Sequence, residues 1–179
     1  MAGILKVDKY QDFNGNDIMT SDGSGNITIN NVALKNAPAF FVYLSSAQTI
    51  PNSTYTLAQF NTELWDSNNT FDTTTYKFTV PSGGAGKYVF SSRIKFSGLD
   101  IGEWSESVLY INGSVSYRTQ FTDYSSATDY QVIASGTVTL NLSENDYVQL
   151  YVFQNEGASR DLFGGADGSW FSGYKLIGV

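Results

Sequence analysis

Large apolar residues and polar residues alternate along much of this chain, most clearly on the two sides of Pro81. Tyr76, Phe78 and Val80 take every second position before it, and a new apolar series begins at Tyr88 after a glycine-rich segment. A period of two is typical of a β-strand with one buried face and one solvated face. Proline ends such a ladder because it has no N–H to donate. The pattern predicts two strands joined as a hairpin within an antiparallel sheet.

Similar apolar segments recur along the chain and are separated by turn signals. Asn112-Gly113 is one of these signals, and residues 143–146, Ser-Glu-Asn-Asp, are another. Asn and Gly tolerate the positive φ values that tight hairpin turns need. Helical periodicity is weak everywhere, and its best candidate is residues 57–64. We therefore predict an all-β, antiparallel two-sheet sandwich of roughly eight to ten short strands.

The first 36 residues differ from the rest, because they contain few large apolar side chains. Asp12-Phe-Asn-Gly-Asn16 and Asp22-Gly-Ser-Gly-Asn26 are turn signals, and short β-prone pieces lie around them. Such a segment cannot build a core of its own. We interpret residues 1–36 as an extended N-terminal attachment arm that orders against another chain, and residues 37–179 as the sandwich domain. The alternative is a flexible tail.

One strand, residues 147–153, is largely apolar on both of its faces. A strand of this kind needs a second cover, which a neighbouring subunit can supply. Tyr147, Gln149, Tyr151 and Phe153 are therefore candidates for a trimer interface. The alternative is that they belong to the ordinary core of the sandwich, since both locations demand burial.

Composition removes several classes of function. The chain has 179 residues, a net charge of −7 and only 15% charged residues. It lacks the basic surface that nucleic-acid binding needs, and an acidic surface disfavours anionic membranes. His and Cys are absent, which excludes Ser-His-Asp and Cys-His catalysis and thiolate metal sites. We therefore expect no enzymatic activity, no cofactor, no metal, no nucleic acid and no membrane.

The start of the chain lacks the apolar segment of a secretory signal, so we expect synthesis in a cytosol.

A few residues still suggest chemistry. Glu103 and Glu106 flank Trp104, as a pair of carboxylates beside a sugar platform would. We favour the alternative, a solvated loop with one packing Trp, because a fold alone does not supply chemistry. Asp161 and Asp167 lie among glycines and offer oxygen ligands for Ca²⁺. Their spacing does not fit an EF-hand, so we favour a flexible loop without a metal.

Exposed aromatic side chains can stack on sugars. The candidate contacts for a glycan or receptor are Trp104, Tyr117 and Tyr124.

The order of the segments resembles the complement globular-head and tumour necrosis factor superfamily. The similarity is carried by Phe71-Asp72, Tyr76–Pro81, Gly86-Lys-Tyr-Val-Phe90, Val108–Gly113, Ser135–Leu150 and Phe171–Leu176. Asn145 stands where the family usually has Gly, and Asn also accepts positive φ. This resemblance implies a jelly-roll fold and a homotrimer.

Residues 5–30 resemble the opening of tailed-phage virion proteins, through Leu5-Lys-Val-Asp, Asn14-Gly-Asn and Thr20-Ser-Asp-Gly-Ser-Gly-Asn-Ile-Thr-Ile-Asn30. This second resemblance implies a virion protein whose N-terminal arm attaches to the particle, with the major capsid protein or another virion protein as partner. The expected function is a capsid decoration protein on the virion surface. The alternative is a tail-fibre tip that binds a receptor or a host-surface glycan.

Overall fold

Strands and turns make up the described part of the chain, which comprises residues 7–30, 37–123 and 132–177 of a computed structural model. These residues contain no helix, so the weak helical signal of residues 57–64 corresponds to strand and loop. No helix in the described ranges is long and apolar enough to cross a membrane. The predicted all-β class is confirmed.

The N-terminal segment folds back on itself twice and forms a three-stranded antiparallel sheet, here called the meander. Its strands are β1 (Lys9–Gln11), β2 (Asp17–Ser21) and β3 (Ile27–Ile29). Asp12 and Asp22 organise its two turns in the same way, because each carboxylate accepts hydrogen bonds from the Asn four residues later. No residue of the described segment 7–30 is buried. The predicted boundary at residue 36 lies outside the described residues.

Two further sheets pack face to face. The large sheet contains β4 (Ala39–Tyr43), β5 (Gln48–Ile50), β7 (Thr62–Asp66), β10 (Gly86–Phe96), β13 (Val132–Leu142), β15 (Arg160–Leu162) and β16 (Trp170–Lys175). The small sheet contains β6 (Thr56–Leu57), β8 (Phe71–Asp72), β9 (Lys77–Thr79), β11 (Trp104–Ile111), β12 (Ser114–Asp123) and β14 (Tyr147–Gln154).

The strands of the large sheet follow the order β5-β15-β10-β16-β4-β7, with β13 also paired to β10, and those of the small sheet follow β12-β11-β14-β9-β8, with β6 also paired to β14. This is the two-sheet jelly-roll sandwich that the sequence predicts. The strands are more numerous than expected because several are edge pieces of two or three residues.

An aromatic cluster fills the space between the sheets. The ring of Phe40 lies 5.1 Å from that of Phe71, 5.2 Å from Phe78 and 5.3 Å from Phe171, measured between centroids. Phe90 joins the cluster at 5.7 Å from Phe171. All five side chains are buried. Such offset and edge-to-face pairs stabilise a core beyond their simple burial.

The predicted hairpin around Pro81 is wrong. Strand β9 pairs with β8 and β14 in the small sheet, whereas β10 pairs with β13 and β16 in the large sheet. The connection therefore crosses the sandwich, and Phe78 faces Tyr88 across the core at 5.4 Å. The Tyr88 hydroxyl donates to the Gly84 carbonyl at 2.6 Å, which fixes the crossing loop. Alternation describes each strand separately and does not specify its partner.

The two Asn-based turns adopt the predicted backbone. Asn112 and Gly113 both have positive φ, 53° and 77°, and they join β11 to β12 as a hairpin. Asn145, at φ 66°, lies in the turn from β13 to β14, so it takes the conformation that glycine usually supplies there. That turn also passes from one sheet to the other.

Candidate functional site

Strand β14 separates its side chains cleanly between two faces. Val148, Leu150 and Val152 are buried in the core, and the alternate residues point away from it. These alternate residues are the four proposed for the trimer interface, and all four are half-buried on the outer face of the small sheet: Tyr147, Gln149, Tyr151 and Phe153. The ordinary-core alternative is therefore wrong for them. Their role between subunits stays a prediction.

The outer face of β14 is largely covered by the same chain. Tyr151 stacks on Tyr110 with 3.9 Å between centroids. Phe153 lies between Trp104, at 4.5 Å, and Tyr55, at 4.9 Å.

The two remaining outward side chains of β14 also have partners in the same chain. The Gln149 side-chain amide donates to the Thr75 carbonyl at 3.0 Å, and the Lys77 ammonium lies 5.0 Å from the centre of the Tyr147 ring. Much of the cover that the sequence assigns to a neighbour is thus supplied within the chain.

Glu106 lies beneath this aromatic surface and is fully buried. The Tyr55 hydroxyl donates to its Oε1, and the Arg118 guanidinium forms an ion pair with its Oε2. The hydrogen bond to Glu106 is the main cause that raises the pKa of Tyr55, because ionising the phenol would place two negative charges together. A carboxylate held in this way is not open to a substrate. Glu103 and Glu106 therefore do not form the exposed acid pair that a glycosidase needs.

The structure does not bring the candidate glycan contacts together. Trp104 is half-buried against Phe153 and lies opposite Asp123 in the sheet. Tyr117 is 49% exposed and lies opposite Leu109, well along the same strand pair. Tyr124 lies outside the described residues.

Close packing explains the glycines that lie near Asp161 and Asp167. A Cβ on Gly164 would lie 2.6 Å from the Ser46 carbonyl carbon, and one on Gly168 would lie 2.2 Å from the Gly164 carbonyl oxygen. These glycines therefore allow close backbone approach. Asp161 accepts a hydrogen bond from the Thr49 hydroxyl at 2.8 Å. The described residues contain no group of three or more His, Cys, Asp or Glu side chains that could hold a metal ion.

A second aromatic surface lies on the outer face of the large sheet, and the sequence analysis missed it. Phe41 on β4 is its centre, 5.1 Å from Trp170 on β16 and 6.4 Å from Trp65 on β7. Trp65 and Tyr174, at the margins, are 47% and 40% exposed. The available signal was the run from residue 38 to residue 44, which is apolar at odd and even positions alike. We call this surface the large-sheet face.

The meander also has one apolar face. Cross-strand pairing places Tyr10 beside Met19 and Met19 beside Ile29, with Ile27 on the same side. The opposite face carries the polar row of Lys9, Thr20 and Thr28. Tyr10 is 56% and Ile27 is 64% exposed, and both line a shallow groove. A small three-stranded sheet depends on its apolar face for stability, and part of this face is open to water in the described residues.

Comparison with known proteins identifies the domain. Residues 39–176 match the family model described as C1q domain. No curated protein matches the chain.

Solved structures with the same fold cover nearly all of the domain. The globular domain of the zebrafish complement 1qA protein is 22% identical, with a TM-score of 0.57, over 78% of this chain and 98% of that chain. Eiger TNF from S. frugiperda is 15% identical, with a TM-score of 0.58, over 79% and 93%. Murine APRIL, at pH 8.5, is 13% identical, with a TM-score of 0.55, over 77% and 99%.

Proposed function

The chain belongs to the C1q domain family, and from that premise we propose that it is a structural protein of a bacteriophage virion. In this proposal it is a homotrimeric jelly-roll decoration protein with no enzymatic activity. Its N-terminal segment attaches it to the capsid, and the jelly roll faces outward.

The observation that carries the proposal is the meander in front of the C1q-type domain. Its strands present Tyr10, Met19 and Ile27 on one face, and no residue of the described segment 7–30 is buried. Burying apolar surface of this kind against a partner is favourable, because it removes that surface from water. The resemblance of residues 5–30 to the opening of phage virion proteins supports the capsid as that partner.

The large-sheet face supports the homotrimer. Phe41, Trp65 and Trp170 form an aromatic cluster on the side of the sheet away from the core. Aromatic residues are enriched where protein surfaces meet. A contact between subunits through this face would remove the exposed part of Trp65 from water. We propose the large-sheet face as the main subunit contact, and the β14 stripe remains a second candidate.

Two matched variants distinguish these two faces. Trp170→Ser removes an aromatic ring from the large-sheet face, and Tyr151→Ser removes one from the outer face of β14. Sedimentation equilibrium over a range of protein concentrations measures the trimer-to-monomer ratio. The proposal expects Trp170→Ser to weaken the trimer by at least about tenfold in concentration and Tyr151→Ser to leave it much less changed. The reverse order would assign the interface to β14.

Attachment is tested on the particle itself. Cryo-electron microscopy of the virion that carries this protein should show trimers distributed over the capsid shell with residues 1–36 against it. Ile27→Asp places a charge on the apolar face of the meander, and the control Thr28→Asp places the same charge on the polar face. Rebinding to particles stripped of the protein should be lost with Ile27→Asp and retained with Thr28→Asp. Density restricted to the tail would refute the capsid location.

A tail-fibre tip that binds a glycan is the second candidate function. The favouring observation is that Tyr55 and Tyr117, on the small-sheet side, are 41% and 49% exposed. Exposed aromatic faces of this kind stack on sugars. A glycan array with wild-type protein and Tyr117→Ala tests it. If the wild-type protein binds no host-surface glycan on the array, this candidate function is refuted.

A further inference from the structure

Strand β16 ends with a lysine on the side of the sheet that faces the core. Phe171 and Gly173 occupy the two preceding positions on that side, and both are buried. Lys175 continues the series and is itself only 8% exposed. A lysine is rarely found at such a position, because removing an ammonium group from water is costly unless the charge is paired.

The side chain of Lys175 lies against Gly86 at the start of β10. A Cβ on Gly86 would lie 3.1 Å from the Cε of Lys175 and 3.7 Å from its Nζ. Lys175 also lines a small cavity of about 20 Å³. Pro38, Asn68 and residues 81–84 of the crossing loop form most of the remaining wall. Three separate parts of the chain therefore meet around this lysine.

The charge of Lys175 is not balanced within the described part of the chain. Its Nζ forms no ion pair and no hydrogen bond with a described residue. Glu144 is bonded elsewhere, because its Oε1 accepts the Gly83 N–H at 2.7 Å. The cavity wall itself contains no Asp or Glu among the described residues. Because the ammonium is not sealed from solvent, a small ligand can reach it.

We propose that the cavity at Lys175 binds a compact anion, with the size of a chloride ion or of one carboxylate oxygen. A cavity of about 20 Å³ holds one water-sized group, and the ammonium favours an anion there over water. Two neutral donors line the same cavity. The Oδ1 of Asn68 accepts from the Ser67 hydroxyl at 3.0 Å, which leaves its NH₂ group to donate. The hydroxyl of Ser82 donates to no described residue.

The test measures thermal unfolding in chloride and in formate, at constant ionic strength and at one protein concentration. Sulfate, which is too large for the cavity, serves as the background anion. Lys175→Met keeps the apolar stem and removes the charge, and Lys87→Met is the matched control, because Lys87 is exposed on β10. At about ten times the dissociation constant of chloride, the unfolding midpoint of the wild type should rise by about 3 °C or more. Lys87→Met should show the same rise, and Lys175→Met should show none.

Crystals of the wild type grown with bromide or with formate give a second readout that needs no variant. Density for either anion is expected beside the Nζ of Lys175. Stabilisation by formate alone, again lost in Lys175→Met, supports the site and assigns it to carboxylates.

Two results overturn the inference. Equal midpoint shifts in all three proteins, for chloride and for formate, mean that these anions act on the whole protein and not at Lys175. Density beside Nζ together with equal shifts shows an adventitious ion only. If Lys175→Met does not fold, Lys175→Gln replaces it. If neither variant folds, the crystals decide, and the absence of both anions overturns the inference. None of these results bears on the proposed virion function, because the site lies within one chain.

Discussion

Replacing Tyr55 with Phe should destabilise the jelly roll through the loss of one hydroxyl. The Tyr55 hydroxyl donates to the buried carboxylate of Glu106, whose other oxygen is paired with Arg118. The ring of Tyr55 also packs on Phe153 at 4.9 Å. A Phe side chain keeps that ring contact, so the substitution isolates the hydrogen bond.

The size of the effect follows from the burial of the acceptor. A hydrogen bond to a charged group contributes about 1.5–3 kcal/mol, and a buried acceptor left without a donor costs about 1–3 kcal/mol. Tyr55 is itself 41% exposed, so water can reach part of the space that the hydroxyl leaves. We therefore expect the free energy of unfolding to fall by about 1–2 kcal/mol, toward the lower part of these ranges.

The assay is urea unfolding at one fixed protein concentration, because the stability of an oligomer depends on concentration. Tyr117→Phe is the control, since Tyr117 lies on the same sheet and is similarly exposed. Its hydroxyl makes no hydrogen bond to a described residue. It should change the free energy of unfolding by less than about 0.5 kcal/mol. Equal effects of the two substitutions would refute the reasoning. So would an unchanged loss for Tyr55→Phe in a Glu106→Gln background.

Three further predictions concern the core and one turn. Gly173→Ala should lower the free energy of unfolding by about 1–3 kcal/mol, because its Cβ would lie 2.7 Å from Phe90 and 2.8 Å from Phe40; an effect below about 0.5 kcal/mol in urea unfolding would contradict the close packing. Burial raises the pKa of Tyr88 to about 12 from 10.0, so its contribution to stability is complete below pH 10 and decreases as pH rises toward 12. Tyr88→Phe should therefore flatten the alkaline part of the stability profile, and an unchanged slope would count against burial as the cause. Asn145→Gly should be nearly neutral and Asn145→Val destabilising by about 1–2 kcal/mol in thermal unfolding, because φ at this position is 66°; a neutral Val would mean that the turn relaxes.

The sequence predicted the strands better than it predicted their partners. Alternation correctly predicted two strands, β9 and β10, on the two sides of Pro81, and Pro81 correctly marked the end of β9. It could not show that the connection crosses the sandwich, because a glycine-rich segment between two alternating runs is compatible with a hairpin and with a crossing loop. The positive φ of Asn112 and Asn145 was predictable, since the requirement is local. The different roles of the two turns depend on which strands pair, which is not local.

The same limit explains why one aromatic surface was predicted and the other was missed. Strands β4 and β14 both carry apolar residues at odd and even positions, and a period of two assigns those residues to faces without saying what covers each face. The fold brings Tyr55, Trp104 and Tyr110 over the outer face of β14. On the large-sheet face, Trp65 and Tyr174 stay considerably exposed. The outer face of β4 therefore needs a second cover more than the outer face of β14 does.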